Sequence, residues 1–201
     1  MVIKKNHPLL TKKDWYNSVF NGDIISDEDV AIDAAYHTFV NGQVKINGNL
    51  TIYGGGLTVR GNLEVNGNIL CGNNLHVDGH IKAGGSINAA GLINAKYEIE
   101  SGEFIRADGY IGSGTSIIAK DYTKAKGTIG ANMNIVSGGR ITSNSGKIKC
   151  GGYISANGDI VCIDLDWYRP EDGGEDGEIL CQGIKQGNIL SGKLINYEGE
   201  A

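Results

Sequence analysis

The sequence holds a short cluster of residues that could bind a metal ion. His76, Asp78 and His80 alternate along the chain, and alternate residues of an extended strand point to the same side. Two imidazoles and a carboxylate form a ligand set that Zn²⁺ accepts. Two surface histidines beside an aspartate are the simpler interpretation. We therefore expect no metal and no other cofactor, and keep this trio as the candidate metal site.

The four cysteines, Cys71, Cys150, Cys162 and Cys181, form no CxxC pair of the kind used for zinc binding or redox chemistry. Each occupies a position that the repeat described below reserves for a small inward side chain, so we predict four buried free thiols. The chain also lacks a nucleophile elbow, a phosphate loop, an HExxH motif and a dinucleotide fingerprint. The sequence therefore predicts no catalytic residues and identifies no small-molecule substrate.

A six-residue repeat must position all of these side chains. Steps of six from Leu57 to Ile141 meet fifteen residues, of which fourteen are Leu or Ile and one is Thr123. A step of six would rotate a helix by about 600°, which scatters the residues around it. The residue two places later is mostly Ala, Ser, Val or Cys, and Gly often follows at the fourth place. Since positions i and i+2 of a strand share a face, each hexad sends one large and one small side chain inward.

The repeat predicts an all-β fold, a single-stranded parallel β-helix with about three hexads per coil. One hexad cannot bury its apolar face alone, whereas stacked coils bury a continuous core. The 32 glycines and 2 prolines fit many tight corners, each needing a positive φ or a close backbone approach. Asn beside these glycines is a residue that tolerates left-handed geometry.

Four segments follow from the pattern. Residues 1–43 form a small N-terminal cap with a short helix over residues 12–20 and the first strands. Residues 44–163 form the β-helix. Residues 164–178, rich in Asp, Glu and Gly, form an exposed acidic loop that could bind Ca²⁺ or a basic partner, or simply be a solvated turn. Residues 179–201 form the last coil and a tail.

Residues three hexads apart should lie side by side on neighbouring coils, which predicts an aromatic-basic patch. Phe104 would then lie beside Tyr122, Tyr122 beside Arg140, and Arg106 beside Lys124. Aromatic residues and arginine are enriched at contact hot spots, although stacking between coils could by itself explain the rings. The candidate partner-binding residues are Phe104, Arg106, Lys120, Tyr122, Lys124, Lys126 and Arg140.

The strings INGNLTI, RGNLEVNGNI, DGHIKAGGSI and GGYISANGDI resemble the repeats of bactofilin-type polymer-forming proteins and, less closely, of phage tail fibres. The first resemblance implies a right-handed coil and end-to-end assembly. The left-handed hexapeptide acyltransferases place the small residue before the large one, the reverse of the order here. We therefore favour a right-handed coil.

The charge and hydropathy patterns narrow the function classes. A net charge of −5 disfavours nucleic acid as a partner. Neither a signal sequence nor a membrane span is recognisable, so a cytoplasmic location is expected, with a phage particle as the alternative. We expect a non-enzymatic structural or scaffold protein that self-assembles or binds another protein. The alternatives are a phage or mobile-element binding protein, and a β-helix enzyme of acyltransferase or polysaccharide-active type.

Overall fold

The structure is a computed structural model and describes residues 18–144, 147–164, 175–176 and 178–196. These residues form an all-β parallel solenoid of about nine turns, and no helix occurs among them. The predicted fold class, a parallel β-helix, is confirmed, whereas the hand of the coil stays a prediction. In this described part of the chain, no helix has the length and apolarity needed to cross a membrane.

The strands are short, and most contain three residues. In chain order they are β1 (Ser18–Phe20), β2 (Ile24–Ser26), β3 (Val30–Val40), β4 (Val44–Ile46), β5 (Leu50–Val59), β6 (Leu63–Val65), β7 (Ile69–Cys71), β8 (Leu75–Val77), β9 (Ile81–Ala83), β10 (Ile87–Ala89), β11 (Ile93–Ala95), β12 (Ile99–Ser101), β13 (Ile105–Ala107), β14 (Ile111–Ser113), β15 (Ile117–Ala119), β16 (Thr123–Ala125), β17 (Ile129–Ala131), β18 (Ile135–Ser137), β19 (Ile141–Ser143), β20 (Lys147–Cys150), β21 (Tyr153–Asp164), β22 (Glu175–Asp176), β23 (Glu178–Cys181), β24 (Gly183–Ser191) and β25 (Lys193–Asn196).

Each coil contributes one strand segment to each of three faces. Face 1 contains β1, the second halves of β3 and β5, then β8, β11, β14, β17, β20, β23 and β25. Face 2 contains β2, β4, β6, β9, β12, β15, β18 and the first halves of β21 and β24. Face 3 contains the first halves of β3 and β5, then β7, β10, β13, β16, β19 and the second halves of β21 and β24.

The predicted spacing of three hexads per coil holds through the middle of the solenoid, where Ile87 pairs with Ile105. The first coils are longer. Ile24 pairs with Val44, and Val44 in turn pairs with Leu63, so both steps exceed three hexads. The extra residues are accommodated in β3 and β5, which continue around a corner instead of ending in a turn.

The core is the dry axis onto which the first and third residue of each hexad point. The large residues from Leu57 to Ile160 are at most 1% exposed. Small inward serines fit because their hydroxyls reach carbonyls at the corners. Ser113 Oγ lies within hydrogen-bond distance of two carbonyl oxygens, Tyr97 O at 2.6 Å and Ser116 O at 3.0 Å. Thr123, the exception in the large column, is fully buried, and its hydroxyl lies 3.4 Å from that of Ser137.

The corner glycines are needed for close approach between coils. Among the described residues, positive φ occurs at Gly22, Gly54, Gly187 and Gly192, and none of the corner glycines from Gly61 to Gly158 is among them. A Cβ added at such a corner would instead overlap the coil before it, as at Gly85 against the side chain of Asn68.

The asparagines at the corners have a different role from the predicted one. No non-glycine residue in the described ranges has a positive φ, so the expectation that Asn adopts left-handed geometry was wrong. Asn49 Oδ1 instead accepts a hydrogen bond from the backbone N–H of Asn68 at 2.8 Å. Asn68 Oδ1 accepts one from Ser86 N at 2.8 Å. Each amide side chain thus satisfies a backbone donor of the following coil.

The segments before and after the regular repeat also contribute strands. Residues 12–17 of the helix predicted over residues 12–20 lie outside the described residues. Ser18–Phe20 form β1, so the helical prediction for these three residues was wrong. β1 pairs with β3 because its residues continue the solenoid pattern. Most of the acidic loop over residues 164–178 also lies outside the described residues. At its base, β21 and β22 pair antiparallel, with Ile163 opposite Asp176.

Candidate functional site

The predicted aromatic-basic patch begins at the corner between faces 2 and 3. Phe104 precedes β13 and Tyr122 precedes β16, and these strands are neighbours in the sheet. Their rings stack with centroids 4.8 Å apart and an angle of 2° between planes. Arg140 precedes β19 at the same corner, one coil further on. The spacing of three hexads therefore places all three side chains in one row, with both rings half-buried.

The basic residues of the patch lie beside this row. Arg106 and Lys124 are adjacent on face 3, in register. Lys126 follows at the next corner, where its Nζ donates to Asp108 Oδ2 at 3.0 Å. The Arg106 guanidinium lies 3.6 Å from the other oxygen of Asp108. The hydrogen bond from Lys126, together with the charge of Arg106, holds the pKa of Asp108 below its usual value.

Carboxylates offset much of the positive charge of the patch. Asp108 pairs with two of its cations, and Asp159 Oδ2 accepts from the Arg140 guanidinium at 2.8 Å. Within the described ranges, Lys120 and Lys124 have no ion-pair partner. The patch is therefore a mixed-charge surface around an aromatic pair. Sequence reasoning missed Asp108 and Asp159, although each lies one coil along the chain from a cation with which it pairs.

The histidine trio does not surround a common point. His76 Nε2 lies 3.2 Å from Asp78 Oδ1, whereas His80 Nε2 lies 3.1 Å from Glu64 Oε1. His76 belongs to β8 on face 1, and His80 lies at the corner that leads into β9 on face 2. No group of three potential metal ligands converges in the part of the chain that the structure describes. The two histidines instead take part in separate hydrogen bonds on the surface.

His37 forms a contact that the sequence did not suggest. Its Nε2 lies 2.8 Å from Thr58 Oγ1, and its ring lies 4.7 Å from that of Phe39. Burial lowers the pKa of His37, and the nearby charge of His76 lowers it further. The pairing depends on β3 and β5, where His37 lies opposite Gly56. The contact between His37 and Thr58 joins two of the longer first coils. A search of the sequence in steps of three hexads therefore does not find it.

The four cysteines are buried thiols, as predicted. Cys150 and Cys181 occupy corresponding small positions in β20 and β23, which are neighbours. Burial, reinforced by the neighbouring Cys181 thiol, raises the pKa of Cys150 to about 12. Thiols in this state are poor nucleophiles and poor metal ligands, so their role is packing.

A groove on face 1 was also missed by sequence reasoning. Gly112 and Gly130 occupy the outward position of β14 and β17 and leave a shallow concavity of about 890 Å³. Asn94 and Lys149 border it. A glycine at the outward position of equivalent hexads in successive coils was the available signal.

The described surface thus carries an aromatic pair, a mixed-charge patch around it and a shallow groove. Comparison of the chain with protein-family models, with curated proteins and with solved structures found no match.

Proposed function

We propose that this chain is a non-enzymatic structural protein, a rod-shaped scaffold that self-associates through the C-terminal end of its solenoid. The observation that carries the proposal is the exposure of Leu194. In β25, Leu194 continues the inward column of Ile148 and Ile179. Ile148 and Ile179 are fully buried, whereas Leu194 is 40% exposed.

The two ends of the described solenoid differ in how well the core is covered. At the N-terminal end, Ile24 and Val30 of the first coil are 2% and 3% exposed, and Phe20 is partly buried. At the C-terminal end, Ile184 and Ile189 are only partly buried. Covering exposed apolar surface is favourable by about 25 cal/mol per Å². A second copy placed against this end would bury the side chains that the last coil leaves open.

Backbone hydrogen bonding supports the same site. β25 pairs with β23 on one side, and within the described residues no strand pairs with its other side. An open strand edge presents N–H and C=O groups that favour pairing with another chain. The resemblance of the repeats to those of bactofilin-type proteins supports assembly through solenoid ends, and we propose this kinship as the finer classification.

Size measurement with matched variants tests this function. Light scattering and negative-stain electron microscopy should show assemblies that grow with protein concentration. Leu194→Asp should remove them, because a carboxylate at the junction would be buried without a partner. Leu70→Asp is the control, since Leu70 is 45% exposed on face 3, away from the end. A strict monomer, or equal loss in both variants, would rule out assembly through this end.

The stacked pair of Phe104 and Tyr122 favours a second candidate function, binding of a protein partner by a phage or mobile-element protein. Exposed Lys120 and Lys124 lie beside the two rings. Aromatic side chains next to cations are common at protein contact sites. Recovery of bound proteins by wild type, Tyr122→Ala and Lys124→Glu would test it, with Tyr53→Ala as a surface control. Equal recovery by all four proteins would eliminate the patch as a binding site.

A further inference from the structure

Face 2 carries a row of outward side chains with an unusual order. Six consecutive coils each contribute one residue, and strand register places each beside the next. From the N-terminal end, the row reads Ile25, Lys45, Glu64, Lys82, Glu100 and Ile118. Two isoleucines therefore enclose four charges of alternating sign.

The charged residues of this row are accessible. The exposed side-chain fractions of Glu64, Lys82 and Glu100 are 41%, 58% and 36%, and Lys45 is also exposed. Lys82 Nζ lies 2.9 Å from Glu100 Oε2, and this hydrogen bond raises the pKa of Lys82. A lysine ammonium has three donors and a carboxylate can accept about four hydrogen bonds. These groups can therefore take a further partner while they keep the one they have.

The row is complementary to its own reverse. In a second copy that runs antiparallel against it, Lys45 lies opposite Glu100, and Glu64 lies opposite Lys82. Ile25 then lies opposite Ile118, so the apolar ends also match. We propose that face 2 binds a second copy of this chain side by side and antiparallel, about a two-fold axis between Glu64 and Lys82.

Glycines occupy the corners on both sides of the first three charged residues of the row. Gly42, Gly61 and Gly79 precede the strands that carry Lys45, Glu64 and Lys82, and the same three strands are followed at the opposite corner by Gly48, Gly67 and Gly85. At the corner before β12 the exposed ring of Tyr97 borders a shallow concavity that Glu64, Lys82 and Glu100 help to line, so a second copy must pack beside this ring. A two-fold interface requires a self-complementary surface, because every contact between two different residues occurs twice, the second time with the residues exchanged between the copies.

The forces at this interface are electrostatic and short in range. Exposed ion pairs are weak singly and are screened by salt, with a Debye length of about 10 Å at 0.1 M. The side-by-side pair should therefore form at low ionic strength and dissociate at high salt. Assembly through Leu194 is apolar and should survive salt, so this pairing goes beyond the proposed function and can be tested separately.

Charge reversal supplies the decisive experiment, read by sedimentation in low salt with Leu194→Asp present throughout to remove end assembly. Glu64→Lys alone opposes two lysines across the two-fold axis, and Lys82→Glu alone opposes two glutamates there. Each variant should weaken dimerisation at least about tenfold. An equimolar mixture of the two variants should restore it, because every opposed pair is then of opposite charge.

The mixture separates contacts between copies from contacts within a copy. Each chain in the mixture still carries its own substitution and therefore a disrupted row. Restored dimerisation can then be explained only by pairing between copies. The double variant Glu64→Lys with Lys82→Glu should also dimerise, and Lys149→Glu on face 1 should behave as wild type. A monomer at every concentration in low salt would overturn the proposal. Failure of the mixture to restore dimerisation would overturn it equally.

A carbodiimide cross-link checks the antiparallel orientation on the unaltered chain. Mixed light and heavy isotope-labelled copies should give a Lys45–Glu100 link between copies. Within one chain these residues lie three coils apart, about 14 Å, beyond the reach of a zero-length reagent. Dimers linked at other positions but not at this one would show that the orientation is wrong.

Discussion

The rings of Phe104 and Tyr122 lie parallel, 4.8 Å apart, on neighbouring coils of the solenoid. The spacing matches the distance of about 4.8 Å between adjacent strands, so the stack follows directly from strand pairing. The same contact can serve stability and binding, and the two roles make different predictions.

Removing one ring should lower the free energy of unfolding modestly. Tyr122→Ala removes the stacking partner of Phe104, and such pairs contribute about 0.5–1.5 kcal/mol beyond area burial. We expect a loss of about 1 kcal/mol in urea denaturation. Tyr122→Phe keeps the ring and should stay near wild type. The loss in the double variant of Phe104→Ala and Tyr122→Ala is compared with the sum of the losses in the two single variants. If the double variant equals that sum, the rings do not interact energetically.

Two adjacent isoleucines of β15 provide a matched test of the core. Ile117 is fully buried, whereas Ile118 points outward and is only half-buried. Ile117→Ala should cost about 2–5 kcal/mol, because it leaves a cavity in a close-packed axis. Ile118→Ala should cost less than half of that. Similar losses in chemical denaturation would mean that the hexad does not separate inside from outside.

Two glycines should respond to alanine with opposite signs. A Cβ at Gly102 would overlap the backbone carbonyl of Gly84 in the preceding coil, whereas at Gly130 the nearest atom is 4.0 Å away. Gly102→Ala should destabilise the fold by about 1–3 kcal/mol. Gly130→Ala should be neutral or stabilise it by up to about 1 kcal/mol. Thermal unfolding of the two variants measures the difference, and equal losses would contradict the close-approach explanation.

The environment of His37 predicts a stability that falls in mild acid. Its pKa is lowered in the folded chain, so the unfolded chain binds the proton more readily. The free energy of unfolding should therefore decrease as pH falls below about 6.5, the ordinary histidine value. His37→Gln should flatten this part of the profile relative to wild type. An unchanged slope between pH 7 and 5 would show that His37 does not contribute.

The buried thiols should be silent towards reagents until the chain unfolds. All four cysteines are buried, and burial raises the pKa of Cys71, Cys150 and Cys181. Ellman's reagent at pH 8 should therefore react with none of them in the native protein and with four in guanidinium. Rapid reaction of even one thiol under native conditions would contradict the inward placement of the small position.

The periodic part of this protein could be predicted from the sequence alone. A large inward residue every six places and a small one two places later determine a three-faced coil with one hexad to each face, because only stacked short strands bury both. That spacing also placed Phe104 beside Tyr122 and Arg106 beside Lys124. From Glu64 to Ile118 the outward row on face 2 follows the same spacing, whereas longer steps separate Ile25, Lys45 and Glu64.

Other features depended on the tertiary structure. The first coils are longer than three hexads, and only the strand register shows which residues of β3 and β5 meet, such as His37 and Thr58. The preference of His80 for Glu64 and the neutralising pairs of Asp108 and Asp159 depend on side-chain direction, which spacing does not specify. The need for glycine at the corners also depends on the tertiary structure, because a Cβ there would meet a carbonyl or side chain of another coil. A periodic sequence determines its own repeat, whereas contacts made across coils and at corners are decided by distances in three dimensions.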